Sequence, residues 1–265
     1  MNIYLKLLAA NLRSQLQHRA SFVLDVIGTG LANGLEFIAF MLAFTRFGEI
    51  GGWSFWQVAF LWGLSETAFG TMDMIFSGYD PGYFSELVKR GDFDRVLVRP
   101  VRLPVQLFAA EFALRRIGRI GQGGLIFALA LANVAIDWTP IKLAYLPVVF
   151  VSAVAFYGAL FTLGAALCFW TTESIEIVNV FTYGGTTMAS YPMHIYNDFL
   201  RRVFTFVVPT ALMIYYPALF FFDLPDPTGL PHFVQWLAPL AGFGLLALAF
   251  GVWQLGVRRY QSVGN

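Results

Sequence analysis

The chain has 265 residues, of which 58% are hydrophobic and only 12% are charged. Ordinary soluble domains carry about 25% charged residues, so this composition excludes a typical soluble fold of this length. With 17 basic and 16 acidic residues the net charge is +1, which gives no basis for nucleic-acid binding. The single cysteine, Cys168, excludes a disulfide framework and a thiolate metal site.

The N-terminal segment, residues 1–20, predicts an interfacial helix. Leucines recur there at helical spacing, and the opposite face carries Lys6, Arg13 and Gln17. A cleavable signal peptide would instead show an unbroken apolar run followed by a small-residue cleavage site. We therefore expect residues 2–19 to form an amphipathic helix that lies on the membrane surface.

Six later segments are apolar and long enough to cross a bilayer, which takes about 20 residues per helix. The predicted spans are residues 21–45, 55–77, 117–136, 143–170, 203–222 and 234–255. They indicate an all-α integral membrane protein with a single transmembrane domain over residues 1–265. Residues 171–202 are interpreted as a cytoplasmic extension of the fourth span, a break and an interfacial helix.

The basic residues orient these spans. With the N-terminus placed inside, every Lys and Arg except Arg46 and Lys142 falls on the cytoplasmic side. By the positive-inside rule both termini are then cytoplasmic, and tryptophans at both predicted interfaces fit an aromatic belt. The expected location is the bacterial plasma membrane, where the lipid bilayer surrounds a multi-pass protein.

The longest polar segment, residues 78–116, connects the second and third spans on the cytoplasmic side. Pro81 suits the first turn of a short helix, and Gly91 can end that helix in the left-handed conformation. Asp92 is then the expected N-cap of a second short helix, which ends at or before Arg99 because a proline follows.

Two short basic helices against a membrane suit docking onto a soluble partner. We expect Phe84, Leu87 and Phe93 to anchor in a cleft of that partner, with charges at the rim fixing the register. The alternative is that the segment only satisfies the positive-inside rule and contacts anionic lipid. That alternative explains the arginines but not the break at residues 91–94 or the two prolines.

Acidic residues inside the first two spans form stripes. The first stripe is Asp25, Thr29, Asn33 and Glu36, and the second is Glu66, Gly70, Asp73 and Ser77. A carboxylate at the bilayer centre costs about 2.5–3.5 kcal/mol unless it is shielded. Either the stripes line a hydrated inner vestibule that prefers cationic or amphipathic substrates, or they bond to neighbouring helices or a partner subunit. The translocation-path candidates are Asp25, Asn33, Glu36, Glu66 and Asp73.

No motif for catalysis, nucleotide binding or metal binding is visible. The chain lacks a GxxxxGK[ST] phosphate loop and an HExxH motif. His18, His194 and His232 are scattered over different predicted regions, and nothing marks a nucleophile. We therefore expect no bound cofactor or metal and no enzymatic activity in this chain.

Two motifs resemble one branch of the type-two ABC exporter permeases. Residues 91–100 read Gly-Asp-Phe-Asp-Arg-Val-Leu-Val-Arg-Pro, similar to that branch's Gly-Asp-hydrophobic-Asp-x-x-Leu-x-Arg-Pro. Residues 258–264, Arg-Arg-Tyr-Gln-Ser-Val-Gly, resemble its closing Arg-Tyr-x-Ser-x-Gly, and the Tyr-Tyr-Pro-Ala of residues 215–218 fits as well. An importer-type Glu-Ala-Ala motif followed by Gly is not present in matching form, which favours export.

The resemblance implies the membrane subunit of an ATP-driven exporter. In such permeases the loop after the second span carries the coupling helix, here residues 83–99. ATP and magnesium would bind a pair of soluble ABC ATPase subunits, and a second permease, identical or different, is implied. The coupling residues carried over are Phe84, Leu87, Gly91, Asp92, Phe93, Asp94, Arg95, Arg99 and Pro100.

Three other functions stay open. A stand-alone secondary transporter would use the acidic stripes with an ion gradient, but it more often shows repeats with broken helices. A membrane enzyme would need a polar constellation, and none is visible. A non-transporting assembly subunit would keep the loop without needing the stripes. The sequence leaves the substrate open.

Overall fold

The computed structural model describes residues 3–17, 19–171 and 176–262. These residues form helices and no strand, which confirms the all-α class. The helices are α1 (Ile3–Gln17), α2 (Arg19–Phe47), α3 (Phe55–Ile75), α4 (Pro81–Lys89), α5 (Asp92–Leu97), α6 (Leu103–Ala110), α7 (Ile117–Asn133), α8 (Pro140–Thr171), α9 (Glu176–Asn179), α10 (Gly185–Ala189), α11 (Asp198–Arg202), α12 (Tyr215–Phe221), α13 (Val234–Leu237) and α14 (Pro239–Arg259).

Tighter and wider turns connect some of these helices. The 3₁₀ turns are Ser77–Tyr79, Leu114–Arg116, Met193–Ile195 and Thr210–Leu212, and the π-helical segments are Val180–Gly184 and Val203–Val207. The ends of the predicted interfacial helix at residues 1, 2 and 18, and residues 263 and 264 of the closing motif, lie outside the described residues.

Among the described residues, three helices are long and apolar enough to cross a membrane: Phe22–Phe47 within α2, α8 and α14. A fourth candidate is the bent pair Asp198–Val207 and Thr210–Phe221, whose halves meet at 71°. α7 has only 17 residues, and α3 carries two carboxylates along its 21 residues. The six predicted spans therefore stay a prediction, while the presence of several membrane-length apolar helices is confirmed.

We call the end of the bundle that carries α4 and α5 the proximal end. The opposite end, which carries residues 48–54 and 134–139, is the distal end. α3 begins at the distal end and finishes beside α4, whereas α7 runs in the reverse direction and α8 returns to the proximal end. The alternating directions of these helices show whether a contact to one of them lies at the proximal or the distal end.

The fifth span expected over residues 203–222 is not one continuous helix. The chain is π-helical as far as Val207, leaves the helix at Val208 and resumes as a 3₁₀ turn and α12. Val208 has φ −121° and ψ 84°, away from the helical region. Pro209 accounts for the break, because a proline disfavours helical angles in the residue before it and cannot donate a backbone hydrogen bond.

Both ends of this bent segment lie at the distal end. A ring nitrogen of His194 is 2.7 Å from the carbonyl oxygen of Gly51, in the loop between α2 and α3. Lys142, at the start of α8, is buried and lies 2.5 Å from the carboxylate of Asp223. The sequence analysis placed residues 194–202 in a proximal join, but they lie beside the distal loops together with residues 203–223.

Residues 176–189 make the crossing from the proximal to the distal end. α9, the π-helical segment and α10 follow one another without leaving helical backbone angles. Along this path the ring of Tyr183 lies 5.3 Å from that of Phe69, midway along α3. Farther on, the ring of Tyr191 lies 6.0 Å from Phe40 near the end of α2. This segment, rather than residues 203–222, follows α8 through the bundle.

α3 lies at the centre of the fold and packs most closely against α7. A Cβ added to Gly63 would lie 2.6 Å from the backbone nitrogen of Phe127, and one added to Gly123 would lie 2.9 Å from that of Thr67. Small residues at helix contacts let the two backbones approach, as in other membrane bundles. The close approach brings polar side chains of the two helices within bonding distance.

α1 and α2 lie at the edge of the bundle. The side-chain amide of Gln15 donates to the carbonyl oxygen of Phe112 at 2.5 Å and accepts from the backbone N–H of Leu114 at 3.1 Å. Leu5 and Leu16 stay exposed, as expected of a helix that presents leucines to lipid. Most of the membrane-length part of α2 is also exposed in the single chain.

Candidate functional site

The two short helices at the proximal end begin and end where local sterics require. The carboxylate of Asp80 accepts from the backbone N–H of Tyr83 at 3.0 Å, and Pro81 occupies the first position of α4. Gly91 has φ +69°, the left-handed conformation that glycine adopts readily. The predicted positions of the proline and the glycine are confirmed.

The sequence suggested that Asp92 is the N-cap of α5, but the structure shows that it is not. Gly91 takes that place, and Asp92 is the first helical residue, with its carboxylate 3.1 Å from Arg95. The carboxylate still favours this position, because the first turn of a helix carries partial positive charge. α5 ends at Leu97, before Arg99 as expected.

Four aromatic side chains, which we call the aromatic clamp, hold α4 and α5 against the bundle. They are Phe84 of α4, Phe93 of α5, Phe169 of α8 and Tyr260 after α14. The ring of Phe93 lies 5.4 Å from Phe84, 5.3 Å from Phe169 and 5.0 Å from Tyr260. Such pairs each contribute about 0.5–1.5 kcal/mol beyond burial.

The clamp contradicts the expected contact of Phe84 and Phe93 with a partner's cleft. Both side chains are fully buried inside this chain, so neither projects from the surface. Their rings instead fasten the short helices to the proximal ends of α8 and α14. An ATPase-coupling role for these residues stays a prediction.

The clamp also joins the two motifs of the resemblance. The hydroxyl of Ser262 donates to the carboxylate of Asp94 at 2.5 Å, across 168 residues of sequence. Burial, together with the neighbouring Asp94 carboxylate, raises the pKa of the Tyr260 hydroxyl to about 12, so it stays protonated at neutral pH. Sequence reasoning treated the two motifs separately and missed this contact.

The exposed surface of this region carries charge and a small apolar tip. Val98 is 82% exposed, and Arg95 and Arg99 are exposed beside it. The amide of Gln106 donates to the carbonyl oxygens of Val96 at 3.0 Å and Val101 at 2.7 Å, which fixes the turn that presents Val98. The sequence analysis named both of these arginines as coupling residues but did not name Val98. Of the three predicted anchors only Leu87 is part-exposed.

A second polar region, which we call the charge ladder, lies between α3 and α7. Arg119 donates to both carboxylate oxygens of Glu66, from Nε at 2.6 Å and from Nη2 at 2.8 Å. Arg116 Nε lies 2.7 Å from Oδ2 of Asp73. The two helices are antiparallel. Glu66 and Arg119 therefore pair farther from the proximal end, and Asp73 and Arg116 pair closer to it.

The two pairs of the ladder differ in quality. The guanidinium of Arg119 also lies over the ring of Phe69, 4.4 Å from its centroid, and both partners of the Glu66 pair are largely buried. The Asp73 and Arg116 atoms are close, but they do not have hydrogen-bond alignment. Bidentate, aligned pairs are the stronger kind. We therefore infer that the Arg119–Glu66 pair contributes more to the attraction between α3 and α7 than the Arg116–Asp73 pair does.

The ladder compensates the charge of both carboxylates of the second stripe. The sequence analysis placed Arg116 and Arg119 in the cytoplasmic loop, but Arg119 lies on α7 inside the bundle. This arrangement matches the alternative in which the stripe bonds to a neighbouring helix. Any cation attracted to Glu66 has to compete with the arginine already there, and its place in a translocation path stays a prediction.

Glu36 and Glu66 nevertheless line one cavity of about 370 Å³, which we call the α2–α3 cavity. Its other walls are Ala39, Phe40, Ala43, Trp62, Thr187, Ser190 and Tyr191. No described residue forms an ion pair with Glu36. On the same helix, Asn33 Nδ2 is buried without a hydrogen-bond partner in the described part of the chain. The cavity combines an unpaired carboxylate with aromatic walls.

Comparison with known proteins gives one match. A family model described as ABC-2 family transporter protein matches residues 31–264, which is most of the chain. This chain belongs to the ABC-2 transporter family. Searches of curated proteins and of solved structures give no match. Membership makes the protein an integral membrane permease of an ABC transporter, a family whose permeases are typically non-catalytic and associate with an ABC ATPase.

The residues matched by the family model include all three regions of the ABC-2 permease described above. The aromatic clamp, the charge ladder and the α2–α3 cavity all fall inside residues 31–264. Asp25 lies before it and opens into a different cavity of about 370 Å³, beside Asn11, Glu111 and Arg115. The first stripe of the permease is therefore divided between two cavities.

Proposed function

We propose that this ABC-2 permease is the transmembrane subunit of an ATP-driven exporter and forms half of the translocation pathway. Force enters at α4 and α5, which dock on a dimer of soluble ATPase subunits. ATP and magnesium bind in those partners and not in this chain. The aromatic clamp is the observation that carries the proposal, because it ties the docking helices to two membrane-length helices.

The connection between docking helices and bundle is stiff. A Cβ added to Gly164 of α8 would lie 2.4 Å from Pro81, so α4 rests directly on that helix. Phe169, at the end of α8, contacts both Phe93 and Tyr260. When the ATPase dimer closes, displacement of α5 is passed to α8 and to the end of α14. Dense packing of this kind transmits displacement instead of absorbing it.

The surface offered to the ATPase is the exposed side of residues 86–99. Val98 supplies an apolar contact, and Arg95 and Arg99 supply charge at its rim. Interfaces commonly combine a small buried apolar centre with polar groups around it. Leu87 and Pro100 flank the same surface.

We propose six membrane crossings: α2, α3, α7, α8, the path through residues 176–189, and α14. Both termini then lie at the proximal end, which we assign to the cytoplasm of a bacterial plasma membrane. Arg201 and Arg202 belong to the distal end. The proximal end still carries most of the Lys and Arg residues of the chain, and residues 78–116 supply the largest group of them, as the positive-inside rule requires.

The α2–α3 cavity is the proposed inner part of the pathway. Its free carboxylate, Glu36, and its aromatic walls suit a cationic or amphipathic substrate. The exposed face of α2 beside it is where a second permease, identical or different, would complete the enclosure. Glu66 lines the same cavity, while its bidentate pair with Arg119 holds α3 and α7 together.

One observation favours a second candidate, a stand-alone secondary transporter. The break at Pro209 produces the kind of discontinuous helix that such transporters use. A single break without a counterpart among the described residues lacks the repeat symmetry those proteins show. The exporter is therefore the stronger proposal.

Co-purification tests the proposal. The tagged full chain is expressed with each ABC ATPase of the same organism in turn, and complex yield is compared for wild type, Val98→Asp and the control Arg46→Glu. We expect the wild type and the control to retain the ATPase and Val98→Asp to lose most of it at unchanged membrane insertion. Failure of the wild type to retain any ATPase would remove the proposal.

A further inference from the structure

We propose that a cavity at the distal end binds a phosphate or similar oxyanion group. This distal cavity has a volume of about 170 Å³ and lies between the two arms of the bent segment. Its walls are Arg201, Arg202, Thr205, Phe206, Tyr216, Thr228 and Leu230. The inference goes beyond the proposed function, and only its assignment to the outer side of the membrane rests on it.

The charge that faces the cavity is positive. Arg201 and Arg202 end α11, and Arg201 is already 2.5 Å from the carboxylate of Asp198. No described residue forms an ion pair with Arg202. Its guanidinium fork matches the geometry of a phosphate, to which two parallel N–H groups can donate.

The carboxylate of Asp226, in the loop that carries Thr228 and Leu230, is bonded within that loop. Asp226 accepts from the backbone N–H groups of Thr228 at 2.8 Å and Leu230 at 2.9 Å, and from the Thr228 hydroxyl. Asp226 does not line the cavity. It therefore shapes the loop wall and leaves Arg202 without a competing anion.

A buried hydroxyl supplies the second donor. Thr205 is 3% exposed, and its Oγ1 makes no hydrogen bond of good geometry in the described part of the chain, although the Tyr216 hydroxyl lies near it. Buried polar groups without a partner are uncommon in folded proteins. Thr205 follows Arg202 by three residues on the same wall, while Tyr216 bonds to Thr228 at 2.8 Å on the opposite wall. An oxyanion between the walls would accept from Arg202 and Thr205 together.

The break at Pro209 creates this cavity by turning α12 back towards α11. A cation would be repelled by the arginines, and an apolar group would leave Thr205 unpaired. The volume of about 170 Å³ is enough for one phosphate group. The same chemistry can come from a free oxyanion or from the phosphodiester of a lipid headgroup, and exposed Phe206 and Val207 lie beside the cavity.

Two binding measurements on the purified full chain separate these sources. Thermal unfolding is followed during titration with inorganic phosphate, against sodium chloride at equal ionic strength. Retention of phosphatidylglycerol is compared with that of phosphatidylcholine by native mass spectrometry. The variants are Arg202→Gln and Thr205→Val, and the control is Arg46→Gln, an exposed arginine that does not line the cavity.

We expect Arg202→Gln to weaken binding about tenfold and Thr205→Val about threefold, as for loss of a charged and a neutral hydrogen bond. The control should bind like the wild type. A response to phosphate identifies a free oxyanion, and a response to phosphatidylglycerol alone identifies a headgroup. If Arg202→Gln fails to fold, Arg202→Lys keeps the charge without the fork and should bind with intermediate strength.

The inference is overturned if phosphate acts like chloride and phosphatidylglycerol like phosphatidylcholine, or if both variants bind like the wild type. ATPase retention is measured on the same preparations. Retained ATPase without anion binding overturns this inference alone. Anion binding in a chain that never retains an ATPase would overturn the proposed exporter and leave the cavity assignment standing.

Discussion

The proximal and distal ends of the bundle are held together by different kinds of contact. At the proximal end, Phe84 and Phe93 are fully buried among other rings. At the distal end the chain is π-helical, breaks at Pro209 and leaves the buried hydroxyls of Thr205 and Thr210 without hydrogen bonds of good geometry. The first arrangement suits the transfer of force, and the second suits rearrangement around a ligand.

Because the contacts differ, substitutions that lower stability and substitutions that weaken ligand binding should fall at opposite ends of the bundle. Removing a ring from a densely packed cluster leaves a void that its neighbours cannot fill. Removing a hydroxyl that has no partner breaks no hydrogen bond in the protein without ligand. Substitutions at the two ends should therefore affect different measurements.

The largest effect expected is all-or-none and concerns the sides on which the two ends lie. Cys168 is buried, so an introduced cysteine is the accessible thiol in each variant. In intact cells a membrane-impermeant maleimide should label Arg201→Cys but not Val98→Cys, and permeabilisation should expose the latter. Labelling of both from one side would return residues 194–223 to the proximal end, and the unsubstituted chain is the control.

The next largest effect is expected in the charge ladder, which lies between the two ends. Arg119→Ala leaves Glu66 buried without its partner, which should lower the free energy of unfolding by about 3–5 kcal/mol. Arg115→Ala, at an exposed neighbouring position, should change it little. Thermal unfolding in detergent measures both. Exchange of the two residues, Arg119→Glu with Glu66→Arg, should recover part of the loss, and no recovery would count against a pairwise role.

A smaller effect is expected when the aromatic clamp loses its ring interactions but keeps its apolar volume. Phe93→Leu should cost about 2 kcal/mol, from several aromatic pairs of about 0.5–1.5 kcal/mol each. It should also lower transport per ATP hydrolysed, because α5 is then less firmly tied to α8. Phe199→Leu is the distal control, since that ring is 72% exposed. Equal losses in the two variants would contradict the contrast between the ends.

A weaker contribution is expected from the bond between Asp94 and Ser262. Ser262→Ala and Asp94→Asn should each cost about 1 kcal/mol or less, because the pair is exposed. In a double-mutant cycle the second substitution should add little to the first. Fully additive losses would show that the two side chains act independently.

The smallest effect at neutral pH is expected from Tyr260. Its pKa in the folded chain is about 12, above the ordinary value of 10. The folded state therefore holds the proton more tightly, so its stability is intact below pH 10 and declines as the pH rises towards 12. Tyr260→Phe should flatten that decline in a pH series of unfolding measurements. An unchanged slope would show that the hydroxyl titrates as in the unfolded chain.

Local features of the fold could be predicted from the sequence because they depend on neighbouring residues. Pro81 and Gly91 set the limits of α4 through steric rules that act within a few residues. The long apolar helices α8 and α14 follow from hydropathy alone. α1 follows from the periodicity of its leucines.

The proposed fifth crossing could not be found in this way. Residues 176–189 contain threonines and glycines, which lower the hydropathy of the segment. Within the helix, Thr182 donates to the carbonyl oxygen of Val178 at 2.9 Å and Thr186 to that of Thr182 at 2.8 Å. The hydroxyls are thereby satisfied inside the helix, whereas a hydropathy scale counts them as polar.

The candidate site was found in outline but not in its contacts. Glu66 and its arginine are 53 residues apart, and the rings of Phe93 and Tyr260 are brought together only by the packing of α8 and α14. Composition and spacing do not encode such distances. The sequence therefore identified residues 83–99 as important but assigned two buried rings to the surface.

The aromatic clamp has a consequence for the order in which the protein matures. Residues 260–262 leave the ribosome after all the helices have been made, yet they complete the packing of a helix synthesised much earlier. Until then Phe93 has no ring from the tail to cover it, and the surface around Val98 is not fully supported. The proposed ATPase-docking surface is therefore complete only once residues 260–262 have been synthesised.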